Sequence, residues 1–285
     1  MRRQSTMQKV SRWILAFICS LVLFALLALG VLKTTLFNQE FMINATKESQ
    51  YAATITKEIN TRIADLGRGS NFSEDIFEDV VPQTLVQQNI DSYIRGIYTD
   101  VPFNVDGKEQ IEMKLDEKVQ AYAADKGYDL EEAQTKKAVA NFKQAAVDGF
   151  DQFIEIPYIL TYGRKVMAYS NTLTLIMVLC GSVFLLLFIG VIYLTSRWKH
   201  QIFRYIAYVF GGSGLMLAVL PAVVYFSRGI DRLGITSQSM YRFLTTYLND
   251  FILTFVKWGG VMIALAIISW IVSEILRKRV VRSKN

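Results

Sequence analysis

The chain has 285 residues, of which 52% are hydrophobic, and a formal net charge of +6 at pH 7. In a soluble protein this balance would suggest a nucleic-acid partner. Segment 34–170, however, contains 14 basic and 22 acidic residues, so it carries −8 and the basic excess lies outside it. This excludes a basic folded domain that would bind nucleic acid. We expect the excess to contact lipid.

Four apolar segments indicate a membrane protein. Residues 14–32 contain no charge and, as a helix, are about as long as the hydrocarbon core of a bilayer is thick. Residues 173–194, 205–226 and 258–273 repeat the pattern. No A-x-A-like cleavage site follows the first segment, so we expect an uncleaved anchor. The sequence predicts an all-α integral membrane protein with four transmembrane helices.

Basic residues next to the spans predict the orientation. Short loops rich in Lys and Arg stay cytoplasmic, because their translocation is unfavourable and anionic lipid attracts them. Four spans place all three basic segments on one side, so we expect both termini in the cytoplasm and the chain in the cell (plasma) membrane. The basic residues are Arg2, Arg3, Lys9, Arg12, Arg197, Lys199, Arg204, Arg277, Lys278, Arg279, Arg282 and Lys284.

The spans and their orientation define the expected domain organisation. A helical domain lies outside the cytoplasm between the first and second spans. The segments are a basic cytoplasmic N-terminus (1–12), transmembrane helix 1 (13–33), the extracytoplasmic helical domain (34–170), transmembrane helix 2 (171–195), a cytoplasmic link (196–204), transmembrane helix 3 (205–226), an extracytoplasmic loop (227–251), transmembrane helix 4 (252–276) and a basic cytoplasmic tail (277–285).

Apolar residues in segment 34–170 recur at helical spacing, in stripes that each occupy one helix face. No part of it shows the sustained alternation of a strand. We interpret the stripes as the core of a helical bundle rather than as the lining of a ligand pocket. They comprise Tyr51, Ile55, Ile59, Ile63 and Leu66; Val86, Ile90, Tyr93, Ile94 and Ile97; Ile111, Leu115, Val119 and Tyr122; and Val139, Phe142, Ala146, Phe150 and Phe153.

Several residues predict helix boundaries within this domain. Gly67 and Gly69 are expected to end the first helix, since glycine is favoured just past a helix terminus. Asp129 opens a capping-box-like start of the fourth helix. Pro157 interrupts that helix, and residues 162–171 are expected to form a helical stalk leading into the second span.

Four clustered acids form a weak candidate metal site. Glu74, Asp75, Glu78 and Asp79 would place carboxylate oxygens at helical spacing, and Ca²⁺ takes six to eight oxygen ligands. Acids near a helix start are also favoured by the helix dipole. We interpret the cluster as a solvated face.

Residues at the ends of the spans are candidate membrane-interface contacts. Lys257 and Trp258 are typical of an anchor, with the lysine stem reaching outward, and contact with a substrate or lipid headgroup is the alternative. The other interface candidates are Arg197, Trp198, Arg277, Lys278 and Arg279.

Small residues inside the spans predict close helix packing. The span cores contain no ionisable group of the kind that ion-coupled transporters use as a relay, which argues against a secondary transporter. Pro221 is expected to kink the third span. The candidate packing residues are Gly211, Gly212, Gly214, Gly259 and Gly260.

The sequence contains no motif that predicts catalysis or a cofactor. His200 is the only histidine, and neither a Walker-type nor a GxSxG motif occurs. We therefore expect a non-enzymatic protein without cofactor or metal. Cys19 and Cys180 lie within apolar spans, so the outer domain has no disulfide option, which is ordinary for an exported domain of a Gram-positive bacterium.

Two resemblances add expectations. The order of anchor, outer domain and three spans resembles FtsX- and MacB-type permeases, which implies a membrane subunit of an ABC-type transport complex working with a separate ATPase. The run LGRGSNFSEDIFEDVVPQTLVQQNIDSYIRGIYT, within residues 59–99, resembles a group of uncharacterised four-span membrane proteins of Gram-positive bacteria. That resemblance implies no activity.

Three functional hypotheses follow. The first is an accessory or regulatory envelope protein that binds a membrane or envelope protein partner through its acidic helical outer domain. The second is the transport-complex subunit, and the third is an immunity or resistance protein against membrane-active peptides. The sequence does not predict an oligomeric state.

Overall fold

The computed structural model of the protein describes residues 6–70, 72–99, 101–127, 130, 132–155, 157–196, 199–235 and 237–282. Over these residues the secondary structure is helical, with short 3₁₀ turns at Glu74–Phe77 and Ile230–Arg232 and no strand. The helices are α1 (Thr6–Thr34), α2 (Gln39–Glu48), α3 (Tyr51–Gly69), α4 (Gln83–Tyr98), α5 (Lys108–Lys126), α6 (Ala133–Ile154), α7 (Pro157–Met167), α8 (Ser170–Thr195), α9 (Lys199–Phe226) and α10 (Gln238–Arg282).

The chain divides into two compact units. We call the first the membrane unit; it comprises Met1–Asn38, Tyr169–Leu233 and Tyr247–Asn285. We call the second the helical domain; it comprises Gln39–Ala168 and Gly234–Thr246. The boundary falls within α10, whose first turns belong to the helical domain.

Four helical segments are long and apolar enough to cross a membrane, which agrees with the predicted number of candidate spans. They are Val10–Thr34, Leu160–Thr195, His200–Phe226 and Gln238–Arg279. Their outer faces are apolar as well; for example, Leu186 and Leu220 are more than 70% exposed. Helices that are apolar all round are typical of a bilayer environment, where hydrocarbon covers the exposed face.

The core of the membrane unit lies where α1, α8 and α9 pack together. Cys19 on α1 and Val209 on α9 have no exposed surface, and Val191 on α8 completes the contact. At the other end of α1, the ammonium of Lys33 donates a hydrogen bond to the hydroxyl of Ser170, 2.7 Å away, at the first residue of α8.

Segment 227–251, which we predicted to be a loop, is largely helical. The structure starts α10 at Gln238 and continues it without a break for 45 residues. The reason is an amphipathic stretch before the apolar span, in which Ser239 and Phe243 are buried in the helical domain. α9 likewise begins at Lys199 rather than at 205.

The predicted apolar stripes form the core of the helical domain. Most members are buried, whereas Leu66, Tyr122, Val139 and Phe153 are half-buried at its margin. The fully enclosed side chains from the stripes and the turn after α3 are Ile59, Ile63, Phe77, Val86, Ile94, Ile111, Leu115 and Phe150. The short helix α2 was not predicted, and it contributes Ala45 to the buried set.

The observed helix boundaries differ from the predicted ones at the end of α3 and before α8. α3 continues through Gly67 and ends at Gly69, so Gly67 is a packing position rather than a helix end. The predicted capping residue Asp129 lies outside the described residues. The expected helical stalk over residues 162–171 is interrupted by a two-residue turn, because α7 ends at Met167 and α8 begins at Ser170.

Packing against α4 explains why α7 is an element of the helical domain. Gly163 brings the α7 backbone so close to Ile97 that a Cβ would lie 2.7 Å from its Cγ2. Arg164 then donates hydrogen bonds to the carbonyl oxygens of Gly96 and Val101, each at 2.6 Å.

The first turn of α10 is bound to α3 by a carboxylate. One Glu58 oxygen accepts the Ser239 backbone N–H at 3.2 Å, and the other accepts its hydroxyl at 3.0 Å. Phe243 packs on Tyr51 with ring centroids 5.4 Å apart. A carboxylate at a helix N-terminus satisfies N–H groups that lack an intrahelical partner and complements the dipole.

This packing predicts a loss of stability at high pH. Burial, with a contribution from Glu58, raises the pKa of Tyr51 from 10 to about 12. The folded state then holds the phenol proton more tightly than the unfolded chain, so the stabilisation is complete below pH 10 and lost as the pH rises from 10 through 12. We expect Tyr51→Phe to reduce the fall in unfolding free energy over that range by about 2 kcal/mol.

Thermal unfolding of the full chain in detergent at several pH values, followed by far-UV circular dichroism, measures this effect. Tyr162→Phe is the control, because Tyr162 is 61% exposed. Equal pH dependence of the wild type and Tyr51→Phe would contradict the prediction.

Candidate functional site

The acidic turn comprises residues 74–79, and the chain just after it is held against α3 by a buried amide. The Asn60 side chain donates to the carbonyl oxygen of Val81 at 3.0 Å and accepts its backbone N–H at 2.9 Å. Asn60 is buried, so a substitution that removes the amide would leave two backbone groups without partners, which is costly in a protein interior.

Two lysines of α5 bind the backbone of the same turn. Lys118 donates to the carbonyl oxygen of Ile76 at 2.6 Å, and Lys114 donates to that of Asp79 at 2.9 Å. The two ammonium groups would repel a metal ion held by the same carbonyls. The contacts therefore favour a solvated acidic face over a Ca²⁺ loop.

An aromatic cluster packs beneath the turn. The ring of Phe77 lies 4.8 Å from that of Phe142 and 5.6 Å from that of Phe72, and Phe72 also contacts Tyr122 at 5.7 Å. Phe77 has no exposed surface. The cluster joins the turn to α5 and α6, so the position of the acids depends on the domain core.

A polar cleft of about 540 Å³ lies between the acidic turn and α3. Asp75, Glu78 and Asp79 line it together with the basic residues Lys57 and Arg68. Arg68 also pairs with Asp65 at 3.3 Å, at the surface. Acids and bases that line the same open cleft can pair with charges of the opposite sign on another molecule.

The described residues do not form a metal centre. Over the described ranges, no group of three or more His, Cys, Asp or Glu side chains can hold a metal ion. The backbone of Glu74 is described, but its side chain lies outside the described set.

The structure describes most of the predicted membrane-interface residues. Lys257 and Trp258 are exposed on α10, and Arg277 follows 20 residues later, about 30 Å along a helix. That distance matches the hydrocarbon core of a bilayer. Arg277 pairs with Glu274 at 2.8 Å, and Lys278 and Arg279 are exposed beside it. Arg197 and Trp198 lie outside the described residues.

The structure brings together two of the predicted packing glycines. A Cβ on Gly214 of α9 would lie 2.9 Å from the carbonyl oxygen of Gly259 on α10. Gly211 lies against Ala266 of α10, and Gly212 faces the Ser20 hydroxyl of α1. Gly260 has nothing within 4 Å of its Cβ position and so does not pack.

The residues that shape the acidic turn were not singled out from the sequence. Asn60, Lys114 and Lys118 are ordinary polar residues of amphipathic helices, and their partners lie 21, 35 and 42 positions away. The sequence offers one clue to Asn60, because this polar residue directly follows Ile59, which lies on the apolar face of α3.

No protein family, curated protein or solved structure matches this chain.

Proposed function

We propose that this chain is a non-enzymatic, multi-pass protein of the cell membrane. In this proposal, the helical domain lies outside the cytoplasm and acts as an accessory or regulatory partner of another envelope protein. The observation that carries the proposal is that the start of α1, the start of α9 and the end of α10, which carry the described basic residues, lie together at one end of the membrane unit.

Contacts between helix ends support this convergence. Trp13 of α1 stacks on Tyr208 of α9, with ring centroids 4.8 Å apart. The Ser273 hydroxyl of α10 donates to the carbonyl oxygen of His200 in α9 at 2.6 Å. The start of α1, the start of α9 and the end of α10 therefore lie together, and basic ends of this kind stay cytoplasmic.

The opposite end of the bundle is where the chain leaves for the helical domain. The bond between Lys33 and Ser170 joins the end of α1 to the start of α8, and residues 39–168 are inserted between them. With the basic ends in the cytoplasm, this insertion begins and ends on the outer side.

The acidic cleft supports a binding role. The insertion is net acidic, and its cleft is lined by four described acids, Asp65, Asp75, Glu78 and Asp79, together with Lys57 and Arg68. Complementary charge brings partners together and selects among them, so we propose a partner whose contact surface is basic.

Cysteine labelling of intact cells tests the orientation. Cysteines at the exposed positions Ser92 and Asp125 should react with a membrane-impermeant maleimide, whereas cysteines at Ser5 and Ser283 should react only after permeabilisation. The background is low, because Cys19 is buried and Cys180 is half-buried. Labelling of position 283 from outside would mean an odd number of crossings and would end the four-span topology.

Purification from native membranes after cross-linking tests the partner. We expect a stoichiometric envelope protein that is lost when Asp75, Glu78 and Asp79 are replaced by lysine. The matched control reverses exposed acids on α5, at Glu109, Glu112 and Glu117, and should retain the partner. Equal recovery from both triple variants would contradict a role for the cleft.

A further inference from the structure

A groove opens on the surface of the membrane unit between α1 and α10. Its floor is α9, and the crossing of α9 and α10 at Gly214 and Gly259 closes one end. The groove has a volume of about 510 Å³, within the usual range of ligand pockets. It extends along α10 from Ile263 to Trp270, about 10 Å, or roughly a third of a bilayer's hydrocarbon core.

Small residues of all three helices line this groove. They let an occupant approach the helix backbones closely, and they are Ala16, Ser20, Ala207, Gly211, Gly212 and Ala266. Ser20 is 3% exposed, and its hydroxyl has no hydrogen-bond partner among the described residues. A buried hydroxyl without a partner is uncommon, and this one belongs to a residue that lines the groove.

The open end of the groove is aromatic and basic. Trp13, Tyr208 and Trp270 line it, and tryptophan and tyrosine favour the boundary between hydrocarbon and headgroups. Arg204 is exposed beside it and donates one hydrogen bond to the Tyr208 hydroxyl at 2.8 Å. The remaining guanidinium N–H groups of Arg204 can bind a phosphate. Arg12 of α1 adds a second positive charge close to Tyr205, which lies about one helical turn before Tyr208 on α9.

We propose that the groove binds one acyl chain of an anionic bilayer phospholipid, with its phosphate against Arg204. The apolar floor holds the part of the chain nearest the headgroup, and the rest of the chain continues into the bilayer. Hydrocarbon is equally apolar in the groove and in the membrane, so the selection comes from the charge at the open end. The lipid belongs to the cytoplasmic leaflet if the proposed orientation holds.

Native mass spectrometry of the full chain, released from mild detergent after titration with dioleoyl phosphatidylglycerol or dioleoyl phosphatidylcholine, tests the proposal. We expect one retained phosphatidylglycerol and a preference over phosphatidylcholine of about fivefold, as expected from one surface arginine. Arg204→Gln should remove most of the preference, because only the more indirect charge of Arg12 remains. Arg279→Gln removes the same charge from an exposed position on the tail and should preserve it.

A second pair of variants tests the groove itself. Ile267→Trp fills it from a side chain that lines it and is 54% exposed, so the bundle need not repack. We expect it to displace the retained lipid. Ile268→Trp adds the same bulk at a neighbouring position that is 57% exposed and outside the lining, and should retain the lipid.

Equal retention of the two lipids, or retained lipid in Ile267→Trp, would overturn the proposal. A dimer that disappears in Ile267→Trp would instead assign the groove to a second copy of the chain. The mass spectra do not depend on how the protein is oriented in the membrane. If the labelling experiment shows the inverted topology, the bound lipid belongs to the outer leaflet, and the test of lipid binding itself is unaffected.

Discussion

Replacing Gly259 by alanine should separate α10 from α9 and strongly destabilise the membrane unit. A Cβ at this position would lie 2.6 Å from the Cβ of Ala218 and 2.9 Å from both the Ala218 nitrogen and the Gly214 carbonyl oxygen. Two of these atoms belong to the α9 backbone, which cannot rotate away as a flexible side chain can. Overpacking of this kind costs about 1–3 kcal/mol. We expect Gly259→Ala at the upper end of this range, because its Cβ would contact backbone atoms of two α9 residues, Gly214 and Ala218.

The neighbouring glycine provides the control. A Cβ on Gly260 meets nothing within 4 Å, so Gly260→Ala should leave the protein as stable as the wild type or slightly more stable, because alanine favours a helix. Thermal unfolding of the full chain in detergent, with mobility on denaturing gels as a second readout, compares the variants. Equal stability of the two would mean that the helices do not cross at Gly259.

A similar change inside the helical domain should have the second-largest effect. A Cβ on Gly67 would lie 2.6 Å from Cδ2 and 2.8 Å from Cε2 of Phe77. Phe77 is fully buried against Phe72 and Phe142, so it has no space to move into. We expect Gly67→Ala to destabilise the domain by about 2 kcal/mol after the gain in helix propensity.

Gly69 is the matched control, since it belongs to the same helix and has nothing within 4 Å of its Cβ position. Hydrogen–deuterium exchange of α3 and the acidic turn should accelerate in Gly67→Ala and stay unchanged in Gly69→Ala. Unchanged exchange in both variants would contradict the packing of Phe77 on α3.

Helices could be predicted from the sequence wherever one face is continuously apolar. Ile55, Ile59 and Ile63 identify the buried face of α3 because a period near 3.6 requires no knowledge of the partner helix. The start of α10 could not be predicted in this way. Its first residues, QSMYRFL, mix polar, aromatic and aliphatic side chains, and they form a helix in contact with Glu58 and Tyr51, nearly 200 positions earlier.

The candidate site was harder to predict than the fold. The four acids were visible as a cluster, but the clustering alone did not distinguish a metal loop from a solvated face. The distinction comes from Lys114 and Lys118, whose ammonium groups reach the turn only after α5 has packed beside it. Close contacts of glycines also depend on tertiary packing. The sequence therefore does not distinguish Gly259 from its neighbour Gly260, although only Gly259 packs against α9.

The division of the chain into two units has an optical consequence. All four tryptophans, Trp13, Trp198, Trp258 and Trp270, belong to the segments of the membrane unit, and residues 39–168 and 234–246 contain none. Indole emission therefore reports the membrane unit alone, whereas far-ultraviolet dichroism reports the helices of both units. A single sample heated in one cuvette can show whether the two units melt together or in sequence.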